Sequence, residues 1–566
     1  MSNQTSSYSL SSQIASLVHK HFDALPARSK PTIYPDGSRE WVPMTGIVIV
    51  KGHRIGNFDL HSSHVSLELS QPWKCDKGHY AGYLSTGAKC LSASHIPRCQ
   101  GLVLHDCHAE ILAMRAFNYW LLTECHGLLS EERQMAKNKD TSDPRNTKTP
   151  FSPFIRRRTE EHDDGSKAST EWPPFEFHSD IKIYMYCTCA PCGDSSMELC
   201  MASQEDATPW EVLREPISAS ENQELEASDA DKMLDGRAHF SLLGVVRRKP
   251  ARTDAESTRS KSCSDKIALR QVSSLLSCQT SRLVAPTENA YIAGLVLPQE
   301  EITKVGFDRC FGPKGRMQAL VGRSWPASRK IDHSAPGYRF RPFQVLSVPS
   351  EEVAALWPFF KPKLIPAPVV SSEEETGSST PTASPRKCKP GNASALWTVA
   401  PTHQHSSPVN LDTGKKSLPH LARSQTGLYE TVINGVKQGN RASSPGKRGA
   451  SALSRAKLWA LLEDISPTHL HHIDRDSTSA ASLLDNVEAE QVHVGTSQRV
   501  DSGLVTYQDS KRPGSSTDPL HVRIEAIRDA KRALKGWAPN SGDDNWSLGV
   551  LVDPKKRKRD MPNARA

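Results

Sequence analysis

His108 and Glu110 stand two residues apart in Leu104-His105-Asp106-Cys107-His108-Ala109-Glu110-Ile111-Leu112. An imidazole able to bind a metal is thereby set beside a carboxylate able to move protons. Downstream, Ala190-Pro191-Cys192-Gly193-Asp194 offers one thiol, and Lys261-Ser262-Cys263-Ser264-Asp265-Lys266 offers another. One His, two Cys and a water make a four-coordinate zinc site with an open position, the arrangement of a catalytic rather than a structural zinc. Zinc lowers the pKa of its bound water toward neutrality. A carboxylate outside the ligand set, here Glu110, can take that proton and return it to a ring nitrogen and a departing amine.

His-x-Glu followed by Pro-Cys is the signature of zinc nucleobase deaminases. In its commonest version the second thiolate follows the first by three residues, and here that position is Ser195. The third ligand must come from elsewhere. Cys189 pairs with Cys192 as Cys-x-x-Cys, a spacing seen in metal and redox sites. Yet Cys189 ends a strand-like run and Pro191 intervenes, so Cys263 competes with it. Pro191 also predicts a helix start that sets Cys192 at a helix N-terminus, where backbone N–H groups favour a thiolate.

These groups need elements to hold them. Leu102–Leu104 reads as a short apolar strand ahead of His108, and Ile111, Met114, Phe117 and Trp120, with Leu121 beside the last, recur at helical spacing after it. His108 and Glu110 then fall in the first turn of a helix. Residues 183–189 read as a strand leading to Cys192, and 41–50 as a strand apolar enough to be central. Residues 14–22 suggest an amphipathic helix, 291–297 and 395–399 strands, and 353–357 a helix that Pro358 ends.

Net charge is +8 from 71 basic and 63 acidic side chains over 566 residues, which permits local nucleic-acid contacts without requiring them. Hydrophobic content is 37% and mean hydropathy −0.52, values that imply substantial polar insertions. No apolar run is long enough to span a bilayer, so no membrane partner is expected. Residues 1–7 lack the form of a signal peptide. Thirteen irregularly spaced cysteines suit a reducing compartment better than a disulfide framework.

His-Ala-Glu, Pro-Cys-Gly and Ser-Cys-Ser-Asp-Lys together resemble the adenosine deaminase domain of the RNA-editing enzymes and their tRNA-specific relatives. The resemblance continues through Ser85-Thr86-Gly87-Ala88-Lys89, Trp397, Gly427-Leu428-Tyr429-Glu430, residues 446–459, Tyr507-Gln508-Asp509-Ser510-Lys511 and residues 535–548. It implies an α/β fold: a cytidine-deaminase-like core, a mixed sheet flanked by helices, enlarged into an RNA-editase domain. It implies zinc ligands at His108, Cys192 and Cys263, the proton shuttle at Glu110, and Lys89 beside the substrate nucleoside. Relatives often carry Thr where this chain has Ala88. It also implies inositol hexakisphosphate enclosed in the core, with Arg115, Lys266, Lys457, Tyr507, Lys511, Lys531 and Trp537 at matching positions. Inward-pointing cations are prohibitive without such an anion. After Lys266 the family commonly places a basic residue where this chain has Leu269, one position before Arg270.

The expected organisation is a helical lead-in at 1–39, one domain at 40–552, and a basic tail at 553–566. Polar, disordered insertions are expected near 131–180, 215–232, 371–393, 400–420 and 466–500. The basic stretch Arg247, Arg248, Lys249, Arg252 and Arg259 is the expected RNA-facing element. Residues 1–40 are too few for a double-stranded-RNA-binding module, so the expected substrate is transfer RNA, at the adenosine 3′ of the anticodon in the anticodon stem-loop of alanine tRNA. A duplex- or mRNA-directed deaminase and a catalytically inactive RNA-binding protein are the alternatives. No obligate protein partner is expected. Pro554-Lys555-Lys556-Arg557-Lys558-Arg559 resembles a nuclear localisation signal, so nuclear residence, shared with the cytoplasm, is expected.

Overall fold

A computed structural model describes residues 9–51, 80–138, 151–161, 173–203, 255–326, 337–362, 388–402, 426–465, 505–513 and 520–552, with shorter pieces at 167–169, 208, 234–236, 240 and 242–249. The expected insertion at 215–232, most of those at 371–393 and 400–420, the one at 466–500, and the basic tail lie outside these residues.

In chain order, the elements that frame the site begin with helix α1 (Leu10–Asp23) and strands β1 (Met44–Lys51), β2 (Tyr80–Thr86), β3 (Ala88–Cys90) and β4 (Asp106–His108). Helix α2 (Ala109–Asn138), β5 (Ile155–Arg157), β6 (Phe175–Phe177), β7 (Ile181–Cys187) and the short helix α3 (Met197–Ala202) follow. Helix α4 (Cys263–Ser273), β8 (Ile292–Pro298), α5 (Lys304–Phe311), β9 (Gln344–Val348) and α6 (Ser350–Leu356) come next. The last are β10 (Ala393–Val399), β11 (Thr426–Ile433), β12 (Val436–Lys437), α7 (Arg455–Ile465) and α8 (Leu520–Ala533).

Eight strands form one sheet in the order β9-β8-β7-β1-β2-β10-β11-β12. The pairs β9–β8 and β8–β7 are parallel and the rest antiparallel, so the sheet is mixed. Both faces are covered, which is why Met44–Val50 is buried without alternation. One face, with Ile47, Ile49, Ile183, Met185 and Leu295, packs on α2 and α4. The other, with Met44, Val48, Tyr184, Tyr186 and Trp397, packs on α1 and α6. The fold is the α/β architecture expected.

Two local readings change. Leu102–Leu104 is buried but not a strand; its backbone is turn and loop, and Leu104 N donates to Gly435 O at 2.9 Å. Helix α2 runs on to Asn138. Residues 131–180 therefore supply helix and strand: Phe154, Ile155, Phe175 and Phe177 are core residues around Trp120. Their apolar positions are few and widely spaced, so polar neighbours masked them.

Helix α1 buries two histidines. His19 Nε2 lies 2.8 Å from Tyr186 Oη, and the His21 ring stacks on Trp397 with centroids 4.4 Å apart. Burial pushes each down to about 4, with Lys20 adding to the effect at His21. A depressed histidine contributes stability above its unfolded pKa and loses it as pH falls through that value toward the folded one. Unfolding free energy is therefore expected to drop between pH 6.5 and 4, by about 3 kcal/mol for His19 alone. Urea midpoints across that range for wild type and His19→Gln test this: the variant should show the shallower dependence, and parallel curves would refute it.

Candidate active site

Strand β3 lies antiparallel to β4, with Ala88 opposite His108, Lys89 opposite Cys107 and Cys90 opposite Asp106. Ala109 N donates to Gly87 O at 2.9 Å, and Ser85 Oγ to Ala109 O at 2.6 Å. His108 thus closes a strand and Glu110 lies in the first turn of α2, aimed at the same space. Cys192 follows β7 in a loop. The helix expected to begin there starts later, with a 3-10 turn over Asp194–Ser196 before α3. Cys263 opens α4, whose N-terminus is capped by Ser262 Oγ accepting from Asp265 N.

The three ligand atoms converge. His108 Nδ1 is 3.8 Å from Cys192 Sγ and 3.6 Å from Cys263 Sγ, and all three lie within 4.8 Å of one another. Cys263, not Cys189, completes the group. Serine hydroxyls stitch the two cysteine segments together: Ser195 Oγ is 2.8 Å from Ser264 Oγ, which donates to Cys192 O at 2.8 Å. Ser195, at the position where a thiolate is commonest, serves here as a strut. Gly193, at φ +107°, lets the segments approach; a Cβ there would sit 2.2 Å from Ser262 Oγ. Arg309 to Asp194 (3.1 Å) and Arg316 to Asp265 (2.5 Å) brace both segments from α5 and the turn after it.

The Cys263 thiol donating to Cys192, with Lys249 and His108 nearby, holds Cys192 well below the ordinary thiol range against burial. Burial, reinforced by Cys192, raises the Glu110 carboxyl. Glu110 is 3% exposed, and its Oε2 is buried with no hydrogen-bond partner among the described residues. A soft, anionic Cys2His set beside an orphaned carboxylate oxygen fits a zinc ion and a proton-transfer group.

Sequence reasoning missed the support beneath this cluster. Lys249, 4% exposed, donates to both Asp106 oxygens (3.1 and 2.9 Å) and to Cys263 Sγ at 3.3 Å. Burial opposes its charge, but Asp106 and Cys263 outweigh burial and hold it well above the ordinary amine range. Lys266 also pairs with Asp106. Two members of the basic stretch expected to face RNA, Arg247 and Lys249, are consequently buried. Arg247 is 1% exposed and donates to Leu242 O and Gly236 O, while Arg248 pairs with Asp235. Arg259 reaches Ser541, and Arg252 is outside the described residues. An Arg-Arg-Lys run carries no mark of burial; Asp106, two residues before His-Ala-Glu, was the available signal.

A second concentration of charge lies behind the first. Trp537 has Lys261 and Lys531 each 5.8 Å from its ring centroid, and Lys511 sits 4.2 Å from that of Tyr507. Burial, then Lys266 and Lys531, pushes Lys261 down to about 7. Burial, then Arg523 and Arg115, pushes Arg270 down to about 9. The strongest neighbours of Lys457 are Lys437 and Glu430.

The adenosine-deaminase (editase) domain model matches residues 83–151 and 163–513. Among curated proteins, tRNA-specific adenosine deaminase 1 of Schizosaccharomyces pombe is 35% identical over 334 residues, 59% of this chain and 66% of that protein. The Saccharomyces cerevisiae protein of the same name is 27% identical over 53% of this chain and 62% of its own length. Double-stranded RNA-specific editase B2 of Mus musculus is 23% identical over 55% of this chain and 37% of that protein. The match to the two yeast proteins spans just under two thirds of their length. With the family model covering most of the sheet, the His-Ala-Glu helix and both cysteine segments, the chain belongs to the adenosine-deaminase (editase) domain family.

Proposed function

We propose that this protein is a zinc-dependent hydrolase that converts adenosine to inosine in transfer RNA, at the adenosine immediately 3′ of the anticodon of alanine tRNA. The observation that carries the reading is the meeting of His108, Cys192 and Cys263 beside the unpartnered Glu110 Oε2. The two yeast relatives named for tRNA are matched over a larger share of their length than the Mus musculus double-stranded RNA editase. Adenosine in a loop also costs less to expose than adenosine in a duplex.

His108, Cys192 and Cys263 would hold the zinc, which when bound acidifies a coordinated water. Glu110 accepts the proton of the attacking water at Oε2 and returns it to the adenine ring nitrogen; a second transfer lets the amine leave as ammonia. Burial, with Cys192 beside it, raises the Glu110 carboxyl, the direction a general base that must also return the proton needs. Lys89 is assigned the substrate contact by family resemblance; its strand pairs with the one that ends at His108. The test is incubation of the zinc-loaded protein with alanine tRNA transcript and sequencing for inosine beside the anticodon. Its absence there, with inosine appearing in duplex RNA instead, would overturn the assignment.

The proposal extends to inositol hexakisphosphate. Lys261, Arg270, Arg115 and Lys531 all have lowered pKa values, each with burial as the first cause and a neighbouring cation among the rest. A multivalent anion relieves that repulsion. Arg270, one position on from the family's usual basic site, lies within range of Arg115 and Arg523 and so can serve the same anion. Denaturing the purified protein should release about one inositol hexakisphosphate per chain, as expected for a single enclosed anion; none released would refute it. Residence in the nucleus and cytoplasm, on the strength of the 554–559 basic run, is tested by imaging the tagged protein with and without that run.

A further inference from the structure

From Thr431 to Leu462 the chain carries six cations, Lys437, Arg441, Lys447, Arg448, Arg455 and Lys457, and no acidic residue. Four of them belong to one loop, Lys437–Gly449. The loop is closed at its neck, where Lys437 N donates to Gly449 O at 2.8 Å, and is pinned inside by Asn440 N to Lys437 O at 3.1 Å. Its root is apolar: Val436 packs with Cys99 and Val103, and Leu91 and Ala442 lie against them. It is therefore a compact Ω-loop with a fixed base rather than a free charged tail.

The root also adjoins the catalytic wall. Gly435 O accepts from Leu104 N, and a Cβ on Gly435 would fall 2.3 Å from Leu104 O. Leu91 N donates to His105 O at 2.9 Å. The loop thus grows out of the segment that ends at His108 and flanks the strand bearing Lys89.

Its charge is uncompensated. Arg441, Lys447 and Arg448 are exposed, and none has a carboxylate partner among the described residues. Glu430, the adjacent acid in the chain, is engaged by Ser451 Oγ at 2.5 Å and Ala452 N at 3.2 Å. Lys457 registers the field: burial lowers its pKa first, then Lys437, with Lys447 contributing and Glu430 opposing. No large apolar side chain is exposed on the loop among the described residues. A protein partner would need such anchors, whereas phosphate contacts need only positive charge.

We infer that the Lys437–Gly449 loop is a phosphate-binding platform that grips the RNA backbone of the substrate while the target base enters the site. The inference rests on the tRNA reading above. The test compares wild type with the quadruple variants K437E/R441E/K447E/R448E and K437Q/R441Q/K447Q/R448Q, in the full chain. Affinity for tRNA transcript is measured across a salt series, alongside thermal unfolding and inositol phosphate content. Each lost phosphate contact should reduce the slope of log affinity against log salt by roughly 0.7–0.9. The glutamine set, which removes four cations, should thus lower the slope by about 3 and weaken binding at least tenfold, by the same counterion argument, with melting and bound anion unchanged. An unaltered slope overturns the inference. So does a loss confined to variants that melt early or shed the anion, which would make the loop structural. A wild type that binds tRNA with the expected slope yet forms no inosine defeats the tRNA reading and leaves the platform standing.

Discussion

Glu110→Gln is expected to lower kcat for adenosine deamination by roughly 10³-fold, within the span of general acid–base catalysis, with metal content unchanged. Glutamine keeps the size and planar shape of the side chain. Glu110 Oε2 has no partner among the described residues, so the substitution removes no hydrogen bond there. It also takes away a carboxyl whose ionised form burial and Cys192 disfavour, so folding stability should hold or rise slightly. What is lost is the ability to accept and return a proton. That loss falls on the transition state, so kcat and kcat/KM should fall together while tRNA affinity stays put. Inosine formation under single-turnover conditions, with colorimetric metal analysis of the same sample, checks the claim. A drop smaller than tenfold would remove Glu110 from the chemistry. Loss of metal with activity would make Glu110 a ligand instead.

The parts of the fold and site legible in the sequence were those with a local pattern. The apolar run at 41–50 and the three-residue spacing through Ile111, Met114, Phe117 and Trp120 each depend on neighbours a few positions away, and each gave the right kind of element. Cys263 could be favoured over Cys189 by resemblance, but only folding shows that α4 brings it within 3.6 Å of His108. Burial of charge was illegible. Lys249 looks like a surface residue because its partner, Asp106, lies 143 positions away, and Arg247 because its guanidinium donates to backbone carbonyls, Leu242 O and Gly236 O, which carry no sequence signal. The same blindness hid Phe177, an aromatic in a polar stretch whose stacking partner, Phe117, comes from α2. Arg247 and Lys249, from the stretch expected to face RNA, turn inward, while Arg441, Lys447 and Arg448 after β12 face solvent.

Lys249→Met is the variant that should do most to separate the site's support from its chemistry. Lys249 bridges Asp106 and Cys263, so its removal leaves one buried carboxylate and one sulfur short of a donor. Breaking a buried ion pair costs about 3–5 kcal/mol. Lys266 still reaches Asp106, which places the expected loss of unfolding free energy near the lower end, about 3 kcal/mol. Outer-shell partners of this kind typically change metal affinity by about 10–100-fold. Lys249→Met should therefore surrender zinc to a chelator at lower concentration than wild type, whereas Glu110→Gln should not. Asp106→Asn acts from the opposite side, leaving Lys249 and Lys266 as two buried cations facing one neutral amide. If the three groups work as a unit, the double variant Asp106→Asn/Lys249→Met will be more stable than the sum of the single losses predicts. Strict additivity in urea unfolding would mean that Lys249 and Asp106 act separately. The sign of the coupling thus decides whether the charge beneath the cysteines holds the site together or merely occupies space there.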